Sequence, residues 1–247
     1  MDSPRLSRRR LLTAGAVITA VPVATAAAAA LGGADVPFKE GLANAPTPVD
    51  TGTQWTWFTE PEAAFINAAV ARLIPADELG PGAVEAGVPT FIDRQLAGPY
   101  GRGERWYMQG PWSPGLPTQG YQTRLTPAGL YRAGIKAIDA AVVRESRGAS
   151  FARLAVADQD AFLQRLEKGD VALDGLDARS FFAQLLHNTL EGFWSDPIYG
   201  GNRDLAGWKL IGFPGARYDN SPYVAQHGQV YPLPPVGLKG RVEWIRS

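Results

Sequence analysis

Apolar residues recur at helical spacing in five stretches of the chain. Thr59-Glu60-Pro61-Glu62 has the form of a capping box with proline in the first turn. Phe65, Ile66, Ala69, Val70 and Leu73 then keep one face apolar as far as Pro75. Residues 83–97 are a second candidate, in which Pro89 either breaks the helix or marks its true start. Thr126-Pro127 opens a third, with a stripe of Leu130, Ile135, Ile138 and Val142. A shorter one covers residues 157–168 and stops at Gly169. The clearest covers 177–192, where Phe181, Phe182, Leu185, Leu186 and Leu190 are expected to line one side. No stretch sustains period-two alternation. The fold class this predicts is mainly α: a single compact helical domain with long aromatic, Gly/Pro-rich loops and an extended C-terminal arm.

Two connections are too long and too aromatic to be plain solvent loops. Residues 98–125 hold six glycines and four prolines together with Tyr100, Trp106, Tyr107, Trp112 and Tyr121. From Phe193 onward come Trp194, Tyr199, Trp208, Phe213, Tyr218, Tyr223, Tyr231 and Trp244. So many rings argue against disorder, and they need burial on the domain itself or on another protein. Trp and Tyr suit a partner surface because each joins a large apolar area to a polar tip.

Composition then narrows the chemistry. Of 247 residues 45% are hydrophobic and 19% charged, a globular balance. Lys+Arg and Asp+Glu stand at 24 each, but Arg5, Arg8, Arg9 and Arg10 crowd the start. Without residues 1–26 the rest carries a net charge of about −3, which argues against a nucleic-acid partner. The chain has no cysteine, which excludes disulfides, thiolate metal sites, C-x-x-C-H haem attachment and a thiol nucleophile. Two histidines, His187 and His227, are too few for a histidine metal cage.

The N-terminus reads as an address. Ser7-Arg8-Arg9-Arg10-Leu11-Leu12 precedes a stretch with no charge until Asp35, the pattern of a twin-arginine export signal carried by Arg8 and Arg9. Residues 11–21 form its apolar region, Pro22 ends it, and Ala24-Thr25-Ala26 offers a small-x-small cleavage site. Residues 11–34 are also long enough for a membrane anchor, although Ala, Gly and Thr dominate them. Twin-arginine export carries folded cargo, often with its cofactor. Yet the glycine-rich segments 98–103 and 199–202 lack G-x-G-x-x-G spacing after a strand, and no G-x-x-x-x-G-K occurs. The expected organisation is a signal and Ala-rich region over 1–34, a linker over 35–58, a helical domain over 59–215 and an arm over 216–247.

Three polar constellations remain. His187 and Glu191 stand four apart on the last helix, as a metal or acid–base pair or, more simply, a helix-face hydrogen bond. Asp196 before Pro197 reads as a turn cap, and with Asp204 as a carboxylate pair of the glycosidase kind, which spacing alone does not support. Gly200-Gly201-Asn202-Arg203-Asp204 reads as a tight turn needing positive φ. No G-x-S-x-G elbow is present.

Three longer stretches carry a resemblance. Leu73-Ile74-Pro75-Ala76-Asp77-Glu78-Leu79-Gly80-Pro81-Gly82-Ala83 runs on to Glu85-Ala86-Gly87-Val88-Pro89 and Phe91-Ile92-Asp93. Trp106-Tyr107-Met108-Gln109-Gly110-Pro111 leads through Gly120-Tyr121-Gln122 to Tyr131-Arg132-Ala133-Gly134. Gly192-Phe193-Trp194-Ser195-Asp196-Pro197-Ile198-Tyr199-Gly200-Gly201-Asn202-Arg203-Asp204 is followed by Gly207-Trp208-Lys209 and Gly212-Phe213-Pro214-Gly215. Over residues 60–220 the chain resembles the gluconate 2-dehydrogenase subunit 3 family, the small subunits of FAD-dependent sugar and polyol dehydrogenases. The resemblance implies a large FAD-bearing partner of the glucose–methanol–choline type, and in membrane-bound members a multihaem cytochrome c. It also implies that the small subunit assists the flavoprotein's maturation and carries it through the twin-arginine translocase to the periplasm or the outer face of the cytoplasmic membrane. No catalytic, metal-binding or cofactor-binding residue of this chain follows from it. Trp106, Trp112, Trp194, Tyr199 and Trp208 are the candidate partner interface. Two other readings stay open: an exported hydrolase using Glu191, Asp196 or Asp204, and a periplasmic carbohydrate-binding module using exposed rings.

Overall fold

A computed structural model describes residues 54–238, apart from 114, 117, 147 and 218. The export signal at Arg8 and Arg9 and most of the expected linker lie outside the described residues. Among those described, six α-helices and no β-strand form the chain. They are α1 (Glu60–Leu73), α2 (Val88–Ala97), α3 (Pro127–Glu145), α4 (Val156–Lys168), α5 (Ala178–Trp194) and the short α6 (Ala206–Ile211). The mainly α class is as the periodicity predicts.

Most boundaries have a local cause. The Thr59 N–H and hydroxyl both donate to Glu62 Oε2, at 2.9 and 2.8 Å, closing the start of α1. Thr126 caps α3 by accepting the Gly129 N–H, and Asp177 caps α5 by accepting the Ser180 N–H. Gly169, at φ 78°, ends α4. The second helix begins at Val88 and not at residue 83: Gly87 precedes it at φ 80° and Pro89 occupies its first turn. Residues 83–87 form turns before it. At the other end, α5 continues two residues beyond Gly192, to Trp194, before the backbone extends at Ser195 ahead of Asp196-Pro197.

Helix α5 is the hub, packing against each of the other five helices. Its buried face differs from the one the apolar pattern predicts. Leu190 is 42% exposed, whereas Asn188 and Thr189 are fully buried. Rings hold the centre: Phe65, Tyr131, Phe151 and Phe181 are all buried, with Phe65 to Phe151 at 5.0 Å and Tyr131 to Phe181 at 5.8 Å between centroids. Each such ring contributes about 2–3 kcal/mol by leaving water. Helix α3 comes close enough to α5 that a Cβ on Gly134 would lie 2.2 Å from the Phe181 ring. Arg72 of α1 grips Asp160 of α4 through two hydrogen bonds of 2.6 and 3.1 Å.

Residues 54–58, the end of the expected linker, dock on this body. The buried Asp93 carboxylate of α2 accepts the N–H groups of Thr56, Trp57 and Phe58 at 2.7–2.9 Å. Arg132 of α3 lies over the Trp57 ring, 4.2 Å from its centroid. The C-terminal arm returns as well: Gly215 and Val236 form a parallel bridge, and the Leu238 N–H reaches the Asp196 carboxylate at 2.6 Å.

Candidate functional site

The segment after α5 is built by close backbone contacts. Asn202 is fully buried at φ 45°; its side chain donates to the Ser195 carbonyl and accepts the Gly207 N–H, each at 2.8 Å. A Cβ on Gly201 would lie 2.1 Å from the Gly192 carbonyl, and one on Gly207 would lie 2.3 Å from that of Phe193. Only glycine lets these strands of chain touch. The Arg203 N–H then donates to the Ala86 carbonyl at 2.8 Å, tying the segment to the entrance of α2. The sequence reading of 200–204 as a positive-φ turn matches this geometry.

That anchoring fixes an open groove of about 460 Å³ between α2 and the end of α5. Phe91, Gln95, Tyr100, Glu191, Trp194, Ser195 and Tyr199 line it. Its floor is held by Asn188, whose side-chain oxygen accepts from the Tyr131 hydroxyl at 3.0 Å and the Tyr100 hydroxyl at 3.1 Å. The Asn188 amide donates to Glu191 Oε2 at 2.8 Å. Burial pushes the Tyr100 hydroxyl up to about 12, against the opposing effect of its Asn188 hydrogen bond. Burial raises Tyr131 well above its ordinary value too. Both phenols therefore stay neutral and keep donating at physiological pH.

A second groove, of about 360 Å³, lies in the 98–125 connection between Trp106, Tyr107, Trp112, Tyr121 and their neighbours. Trp106 joins the two grooves, standing edge-on to Tyr100 at 5.8 Å and 4.9 Å from Tyr121. The Tyr121 hydroxyl donates to the Leu125 carbonyl at 2.7 Å, which returns the loop to α3.

The five rings picked from sequence thus divide. Trp194 and Tyr199 line the first groove; Trp106 and Trp112 line the second. Tyr199 is 48% exposed and Trp112 40%. Trp208 is different: it is 7% exposed, its indole N–H donates to the Trp194 carbonyl at 2.8 Å, and its ring meets Phe213 at 5.0 Å. It belongs to the domain's own packing and offers little surface to a partner. Sequence reasoning missed Gln95 and Tyr100 as groove residues, and Asn188 as the buried support beneath them. Asn188 carried a signal, since it stands at i+7 and i+3 from Phe181 and Leu185 and so falls within the apolar stripe.

The polar constellations resolve as local structure. His187 and Glu191 make an exposed 3.0 Å helix-face contact. The Asp196 carboxylate accepts the Ile198 N–H at 3.0 Å and the Leu238 N–H at 2.6 Å, the work of a turn cap. The glycine-rich segments do not fit a flavin dinucleotide. Gly98, Gly101 and Gly103 follow α2 instead of opening a helix, and the space beside Gly101 and Gly201 is filled by the backbone of Leu96 and Gly192. Among the described residues no group of three or more His, Asp or Glu side chains is placed to hold a metal ion, and no helix is long and apolar enough to cross a membrane.

Fold and surface define a small all-α domain with one aromatic groove beside its central helix and a second within the 98–125 connection. A family model described as gluconate 2-dehydrogenase subunit 3 matches residues 60–215, from the first residue of α1 to the glycine bridged to Val236. The chain belongs to the gluconate 2-dehydrogenase subunit 3 family. No curated protein and no solved structure matches it significantly.

Proposed function

We propose that this chain is the non-catalytic small subunit of an FAD-dependent dehydrogenase of the gluconate 2-dehydrogenase type, acting on a sugar or polyol. Its work is to support maturation of the large flavoprotein subunit and to carry it out through the twin-arginine translocase. The complex then resides in the periplasm or on the outer face of the cytoplasmic membrane, where a cytochrome c subunit can take its electrons. The observation that carries this reading is the family match over residues 60–215.

The surface is consistent with it. Tyr107, Trp112, Leu116 and Tyr199 are 79%, 40%, 67% and 48% exposed. Large rings on rigid supports are the usual anchors of protein interfaces. The FAD belongs to the partner in this reading, and this chain contributes the surface that holds the partner.

The test is export of the pair. With Arg8→Lys and Arg9→Lys together, both this chain and the flavoprotein are expected to stay inside the cell, measured by fractionation and immunoblot. Normal export of the flavoprotein from that double variant contradicts the carrier role.

A further inference from the structure

The groove between α2 and the end of α5 carries polar groups, on Gln95 and Glu191, that the subunit reading does not use. Its lining includes the rings of Trp194 and the half-exposed Tyr199, with the buried Phe91 behind them. It also includes planar polar groups, the Gln95 amide and the Glu191 carboxylate. Among the described residues the Gln95 side chain has no hydrogen-bond partner. Each Glu191 oxygen accepts one contact, from Asn188 and His187, and a carboxylate oxygen has a second lone pair to offer. The Asn188–Tyr100–Tyr131 network beneath is satisfied internally, so it supports the groove without competing for what enters it.

A ligand for such a groove needs an apolar C–H face for the rings and a hydroxyl edge for the amide and carboxylate. A purely apolar molecule would cover the Gln95 amide and the free lone pairs of the Glu191 carboxylate with nothing to pair them, at a cost. An anion would face the Glu191 carboxylate. A pyranose has both faces and no charge, and about 460 Å³ is within the range of small-molecule sites. We infer that this groove is a binding site for a neutral saccharide, with Trp194 and Tyr199 stacking on the sugar face, the Glu191 carboxylate accepting from its hydroxyls and the Gln95 amide donating to them or accepting from them. It rests on the groove itself and not on the subunit reading; the site holds sugar at the surface and performs no chemistry on it.

The experiment uses the full chain expressed by itself, titrated with D-glucose and with maltose while tryptophan fluorescence and calorimetric heat are recorded. Saturable binding is expected for at least one of the two sugars, at a Kd on the order of 1 mM. Tyr199→Ala and Gln95→Ala are each expected to weaken it at least tenfold without moving the melting temperature, because neither side chain belongs to the core. Absence of saturation for both sugars up to about 100 mM overturns the inference. So does binding that survives both substitutions. Retention of the flavoprotein is read separately by co-purification, so absence of sugar binding by the unsubstituted chain with the partner retained sinks this inference and leaves the subunit reading standing.

Discussion

At the scale of single residues, Asn188 concentrates more structural consequence than any catalytic candidate. It is 1% exposed and bonds to Tyr100, Tyr131, Gln184 and Glu191. Asn188→Leu would leave the buried Tyr131 hydroxyl without its partner, and the expected cost is about 2–4 kcal/mol in a urea titration. Tyr131→Phe removes one donor cleanly and is expected to cost about 1 kcal/mol. The same phenols set an alkaline limit. Burial raises Tyr100 and Tyr121 from 10.0 to about 12, so in the folded chain they keep protons that the unfolded chain releases above pH 10. Below pH 10 both states are protonated and stability is unaffected. Between about pH 10 and 12 the unfolded state gains ground, and a melting-temperature series should fall across that window. A flat profile there would show the phenols to be solvated.

At the scale of elements, the contacts between α3 and α5 and around the segment after α5 admit the sharpest tests. Gly134→Ala should gain the helix propensity of alanine, about 1 kcal/mol, and lose more by forcing a Cβ into Phe181. Net destabilisation by thermal melting is expected; a stabilised variant would mean the two helices separate freely. Asp196→Ala removes the acceptor for both Ile198 and Leu238. It should cost about 1–3 kcal/mol and speed limited proteolysis within residues 216–238, because the arm loses one of its attachments. Helix existence was legible because periodicity and caps are local: Thr59, Thr126, Asp177 and Gly169 each act within a turn of themselves. What was not legible depended on neighbours distant in sequence. Pro89 left two readings of α2 open, which the left-handed Gly87 decides. Leu190 continues the apolar stripe in sequence, yet the fold turns Asn188 inward to meet two tyrosines that arrive from elsewhere.

At the scale of the whole molecule, the long motif 192–204 announced the family but not how its residues are used. Asp196 proved to be a turn cap and its glycines points of backbone contact, and that follows only once Gly192, Phe193 and Ala86 are seen against them. Of the rings, Trp208 is absorbed internally while Trp112 and Tyr199 remain at the surface, a division that composition cannot make. Trp112→Ala should therefore lower recovery of a bound partner while leaving the melting temperature of the isolated chain unchanged, whereas Trp208→Ala should lower that melting temperature by opening the core. The central claim is the partnership itself, and it is tested most directly by tagging this chain in its own host, purifying it gently and recording the visible absorption spectrum. A co-purifying larger chain with a flavin spectrum, and dye-linked sugar oxidation by that eluate, is the result this account predicts. A colourless chain recovered alone, under conditions that preserve its fold, would contradict it.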